Sequence, residues 1–345
     1  MTTKRQINKG EQAEEALRLY FLSLGNYVIR SVPFDYKGFI VTDIDLWLYM
    51  KSSSLSRERI CVDVKRKKTP QAMERIFWAK GLKEVLSLDR AIVVTTDNRK
   101  ETRDFGTSHD ISVLPGEFLS RVVNRYSINE ERITEETLLD QLRTPCLMCS
   151  NISWTQFLKE AKSCLINQLN FSGCNLLLSK IRFLIEEYLA SNKSSIGALR
   201  LLYLHISYFL IGVDFSSRNL THLDINSRKL SFDEGFRYGN AGKERADEIL
   251  RTAMQLLEDT SNSDLFSYSK LEDEIKNQLS EYPAEVLAEY FARSEVMKTL
   301  FALAGEFEQN AYAKSIIKPD VCDRNMKSLL GLLCDFLHID RRKLI

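Results

Sequence analysis

The chain has 345 residues, 44% hydrophobic and 28% charged, a balance that fits a globular protein and excludes a fibrous, disordered or disulfide-stapled one. The length allows two domains with separate cores. The net charge of +1 hides an asymmetry: residues 1–125 carry 22 Lys+Arg against 16 Asp+Glu, the remainder 26 against 31, so the N-terminal third is the part suited to a phosphate backbone.

A helix is predicted from about Asn8 to Ser23, with Ala13, Leu17, Tyr20 and Leu24 on its apolar face. Glu14 lies at the edge of that face and Glu15 points nearly the opposite way. Strands follow near 27–32, 41–49, 59–65 and 91–95, with a helix from about Pro70 to Leu88 before the last of them. A further helix is expected to start near Arg99, and Ile111–Leu114 reads as a short strand. The order αβββαβ, with a crossover helix, argues for an α/β sandwich over residues 1–125. Ile128–Arg143 reads as a connecting helix. Helical periodicity then dominates, with candidates at 154–169, 174–191, 196–212, 241–259, 269–280, 283–303 and 323–337. Asp214–Tyr238 reads as irregular, so residues 126–345 are expected as an all-α helical domain.

The second and third strands carry the chemistry. Side chains alternate faces along a strand, so Asp43 and Asp45 share one face while Ile44, Leu46 and Leu48 take the other. Asp63 and Lys65 likewise oppose Val62 and Val64. Paired as a hairpin, these strands gather three carboxylates and an ammonium on one surface, where the carboxylates repel unless a cation sits among them.

Asp45 followed after a gap by Asp63-Val64-Lys65 resembles the PD-(D/E)xK nuclease superfamily, the restriction-endonuclease-like fold. Gly10-x-x-x-Glu14 opening a helix that ends at Leu24-Gly25, then Tyr27-Val28-Ile29-Arg30, is similar to the start of Holliday-junction resolvases and Mrr-like restriction enzymes. Ala91–Thr96 resembles their next core strand, and the likeness spans about residues 8–120, with Ile44 where the motif's proline would stand. The resemblance implies a Mg²⁺-dependent DNA endonuclease, Mn²⁺ being able to substitute, of restriction, anti-phage defence or DNA repair type. Asp45, Asp63 and the Val64 backbone carbonyl would be metal ligands, Glu14 would hold a metal-bound water or a second metal, and Lys65 would orient the attacking water. Asp43 is the weaker candidate. Arg66, Lys67 and Lys68 extend the lysine strand toward flanking phosphates. Gln71, Arg75 and Trp78 form one stripe on the next helix, facing the site or the nucleic acid, although a tryptophan at such spacing is more often core. Two rivals stand beside this expectation: a nuclease-like fold serving as a non-cleaving binding or scaffold module, and an RNA-directed nuclease. A homodimer through the helical domain and a protein partner or activator complete the expected partners.

The remaining signals point to no second chemistry. Cys146-Leu147-Met148-Cys149 has zinc-knuckle spacing without a second pair. Gly239–Lys243 fails as a phosphate loop, with Arg237 and Glu244 where Gly and Ser or Thr belong. The four histidines form no cluster, and His205 is expected buried in its helix. Seven scattered cysteines favour reduced thiols and, with a polar, basic Met1–Gly10 that does not read as a secretory leader, a cytoplasmic protein. Ala198–Val213, interrupted by Arg200, His205 and Ser207, is expected as a buried helix and no membrane partner is expected.

Overall fold

A computed structural model describes residues 8–67, 69, 71–126, 131–143, 146–148, 153–260 and 268–345. The sequence readings at Lys68, Pro70, Cys149 and the start of the 128–143 helix lie outside the described residues. Helix α1 (Lys9–Ser23) begins at a reciprocal cap: the Asn8 side chain accepts from the N–H of Gly10 and Glu11, and Glu11 accepts from the Asn8 N–H. Gly25, at φ +83°, turns the chain into β1 (Tyr27–Tyr36). Lys37 and Gly38, both at positive φ, make the two-residue turn into β2 (Phe39–Lys51). A short loop leads to β3 (Arg57–Lys65). Helix α2 (Ala72–Val85) crosses over to β4 (Arg90–Thr95), and α3 (Lys100–Ser108) to β5 (Ser112–Leu114).

The sheet order is β1-β2-β3-β4-β5, antiparallel through β3 and parallel from β3 to β5. The predicted alternation holds in β3 and for Leu46 and Leu48 of β2, whereas Ile44, expected on their face, falls in the opposite cluster with Val32 and Trp47. Leu46, Leu48, Val62 and Val64 pack with Ala13, Leu17 and Phe21 of α1 and with Leu119 and Val122 of α4 (Gly116–Arg125). Trp47, Tyr49 and Cys61 face the other way, toward Ile76 and Ala79 of α2. Leu24, expected on the buried face of α1, is exposed beyond the helix end.

The rest is helical: α5 (Glu135–Gln141), α6 (Trp154–Asn167), α7 (Phe171–Ala190), α8 (Ile196–Ser217), α9 (Ile225–Tyr238), α10 (Gly242–Thr260), α11 (Tyr268–Glu281), α12 (Ala284–Phe291), α13 (Ser294–Tyr312), α14 (Arg324–Phe336) and α15 (Arg341–Leu344). The chain is thus an α/β fold with a helical part. Helix α8 runs through the middle of that part and is the one described helix long and apolar enough to cross a membrane, with 94% of its most apolar window buried against protein. Helix α6 packs on β1, and one apolar cluster continues from Trp47 and Tyr49 into α6, α8 and α13.

Three sequence expectations are corrected. Residues 214–238 are not irregular: α8 continues to Ser217, and Asp224 caps α9, which buries Phe232 and Phe236 one turn apart. The single helix at 283–303 is two, broken at Ala292 and Arg293, with α13 running on to Tyr312. The connecting helix shrinks to α5, because Thr134 accepts the Thr137 N–H and starts it late.

Candidate active site

The β2–β3 ladder runs from Lys51 opposite Arg57 to Leu46 opposite Val62 and stops there. One residue further, the Asp45 carboxylate accepts the Val64 N–H at 2.7 Å. A side chain thus takes the donor that a continued ladder would have used, and the strands part with Asp45 and Asp63 on either side of the opening. Lys65 follows on β3, its Nζ 3.7 Å from Asp45 Oδ2 and 3.7 Å from Asp63 Oδ1. Val64 itself stays in register with Val94 of β4.

Burial pushes the Asp45 carboxyl up to about 6. Lys65 and the Val64 N–H act against that rise, and the carboxylates of Asp63 and Glu14 add to it. Glu14 approaches from α1 and is raised, mainly by burial, with the Arg30 guanidinium opposing the shift. Arg30, on β1, is buried and donates to Glu14 at 3.0 Å, Glu15 at 2.8 Å and Glu136 of α5 at 3.0 Å. Glu15 therefore does not turn away to solvent. It shares Arg30 with Glu14, because the long guanidinium spans both sides of the helix edge.

Arg75 is placed differently from its reading as a nucleic-acid contact. From α2 it reaches back to Asp63, Nε donating to Oδ2 at 2.7 Å and Nη2 donating to Oδ1. Both Asp63 oxygens are thereby engaged. Trp78, three residues on, is 44% exposed with the Arg75 guanidinium 5.6 Å from its ring, and Phe77 beside it is also exposed. The core reading of Trp78 is overturned: α2 buries Ala72, Ile76 and Ala79 instead, and the 71–75–78 stripe flanks that row. Gln71 is exposed and bonds Glu74. Arg66 donates to the Lys9 carbonyl at 3.2 Å, and Lys67 is exposed. Asp43 is exposed opposite Pro33 and forms no ion pair among the described residues.

As a donor set, two carboxylates from neighbouring strands with a backbone carbonyl between them suit a hard divalent cation. They are not drawn together for one: among the described residues no three His, Cys, Asp or Glu side chains are grouped closely enough to hold a metal. The positive charges of Lys65 and Arg75 balance the carboxylates instead. Sequence reasoning missed Arg30 and the Arg75–Asp63 pair. The signal for Arg30 was a lone cation in an apolar strand, which demands a buried partner. No family model, curated protein or solved structure matches the chain.

Proposed function

We propose that the chain is a metal-dependent nuclease with a restriction-endonuclease-like core that hydrolyses DNA phosphodiester bonds. One observation carries the reading: Lys65 stands equidistant from Asp45 and Asp63 where β2 and β3 part. The order of the sheet, with α1 on one face and the crossover helix α2 on the other, supports it.

Asp45, Asp63 and the Val64 carbonyl are the groups to hold Mg²⁺ or Mn²⁺. Once bound, such an ion lowers the pKa of a coordinated water and draws charge from the phosphate oxygens. Lys65 orients the attacking water and offsets the negative charge that grows on the phosphate. Glu14, fixed by Arg30, presents a second acceptor to water at the α1 side. Arg66 and Lys67, with Lys68, hold the flanking phosphates. The exposed Trp78 gives an unpaired base a surface on which to stack. The Arg75–Asp63 pair favours a second reading, a nucleic-acid-binding module that does not cleave, since it neutralises Asp63 without a metal.

The test is cleavage of supercoiled plasmid, linear duplex, single-stranded DNA and RNA with Mg²⁺, Mn²⁺ or EDTA, beside Asp63→Ala and Lys65→Ala. Metal-dependent cleavage falling at least about 100-fold in both variants is expected. Binding is read separately: Trp47 and Trp154 are buried, so quenching of tryptophan fluorescence by an oligonucleotide reports Trp78. Quenching with no cleavage under any condition would replace the nuclease by the binding module.

A further inference from the structure

A cavity of about 470 Å³, lined by cationic and apolar side chains, opens at the other end of β2 and β3. Lys51 and Arg57, paired across the ladder, form its floor, and Arg228 of α9 and Lys298 of α13 form its walls. Each of the two strand residues lies six positions from Asp45 or Asp63, about 20 Å at the rise of a β-strand. This cavity is therefore separate from the proposed phosphodiester site.

Its charge is not balanced from within. The acid behind it, Asp214, is fully buried and already shared by Tyr49, Lys51 and Arg57. Arg228 is nine-tenths buried. Its Nη1 donates to Ser294 Oγ at 2.9 Å and lies 3.3 Å from Met297 Sδ, its Nε has no partner, and it pairs with no carboxylate among the described residues. A buried guanidinium without a counter-ion is costly, and a bound anion would relieve that cost. Lys298, exposed at the rim, adds another cation with no carboxylate partner among the described residues. Ser54 and Thr221, whose hydroxyl donates to the Arg218 carbonyl at 3.2 Å, line the same space, and Leu55 and Met297 supply apolar wall.

The geometry points to a binding site for a small phosphorylated ligand, of nucleoside-phosphate class, clasped between the β2–β3 loop, α9 and α13. Several cations with hydroxyls match the several oxygens and charges of a phosphate chain better than a single carboxylate. The volume falls in the range of small-molecule sites, and the apolar wall suits a base. The site stands whether or not the chain cleaves nucleic acid.

The test is calorimetric titration of the full chain with ADP, ATP, pyrophosphate and adenosine, in EDTA so that no metal bridges ligand and acid cluster. Saturable binding of the phosphorylated compounds and none of adenosine is expected. Affinity should fall at least tenfold in Arg228→Gln and in Lys298→Glu and stay unchanged in Asp63→Asn. Lys298 is exposed, so its variant carries the test if Arg228→Gln does not fold. ADP binding more tightly than pyrophosphate is expected, and pyrophosphate binding as tightly as ADP would overturn the nucleoside assignment. No saturable binding, binding untouched by Lys298→Glu, or binding lost in Asp63→Asn would each overturn the site.

Discussion

Arg75 holds Asp63 through two guanidinium nitrogens at the rim of the cleft, where both partners keep some solvent contact. An ion pair so placed contributes on the order of 1 kcal/mol, a factor of about 5 in an equilibrium that has to break it. If Asp63 is a metal ligand, Arg75 and the metal compete for the same oxygens. Arg75→Gln is then expected to bind Mn²⁺ about fivefold more tightly by calorimetry, and unchanged affinity would mean Asp63 is not a ligand. A buried neutral imidazole ties stability to pH. His205 is fully buried, its Nδ1–H donates to the Leu201 carbonyl at 2.7 Å and its Nε2 has no partner. Burial pushes the imidazole down to about 3, the Leu201 bond opposing and Lys180 reinforcing the shift. The unfolded chain takes up a proton near pH 6.5 that the folded chain refuses. The stability tied to this group is complete above pH 6.5 and falls as pH drops toward 3, by up to about 1.4 kcal/mol per pH unit. His205→Leu should flatten the urea-unfolding free energy between pH 6.5 and 4 relative to the parent, and parallel curves would refute the assignment. At this scale Asp45, Asp63 and Lys65 were legible because a period of two fixes which residues share a face. The partner of Arg75 and the exposure of Trp78 were not, since a helical stripe names a face without saying what it meets.

Elements were legible where their boundaries carry chemistry of their own. The Asn8–Glu11 cap and Gly25 bracket α1 within one residue of the prediction. Helix α9 was missed because only two phenylalanines anchor an otherwise polar segment, and its packing depends on Phe171, which lies against the Cα of Gly235. Helix α4 was missed because its partner α1 is distant in sequence. The same dependence on close approach governs the α6–α7 junction. A Cβ at Gly173 would stand 1.9 Å from the Gln168 carbonyl oxygen and 2.8 Å from Cys164 Sγ, contacts that backbone cannot yield without moving the start of α7. Gly173→Ala is expected to destabilise the protein by about 3 kcal/mol, the upper end of overpacking costs, read from the urea midpoint. Gly305→Ala, with open space around its Cβ, is the control, and equal midpoints for the two would show that the junction yields.

Across the whole molecule, the sheet and the helices are joined by groups that neither satisfies alone. Trp47 and Tyr49 are fully buried on the sheet face that α8 and α13 help to cover. The Tyr27 hydroxyl lies 2.6 Å from Ser207 Oγ, Tyr49 donates to Asp214, and Lys162 donates to the Arg30 carbonyl at 2.7 Å. Arg18, buried on α1, donates to Glu308 of α13 at 2.7 Å. Removing the helices would expose two large aromatics and leave Arg18, Arg30 and Arg57 short of the carboxylates of Glu308, Glu136 and Asp214, and each buried charge stripped of its partner costs about 3–5 kcal/mol. The sum, about 9–15 kcal/mol, is as large as the 5–15 kcal/mol that usually holds a domain folded. A fragment of residues 1–126 is therefore expected to lose its near-UV circular dichroism and bind a hydrophobic dye, while the full chain unfolds in a single transition by fluorescence and far-UV signals alike. A fragment that melts sharply with native-like near-UV signal would show instead that α1, β1–β5 and α2–α4 carry a sufficient core. The distinction reaches the function, because Glu14 is held by an arginine that α5 also grips, so the acid cluster keeps its arrangement only while the helices are in place.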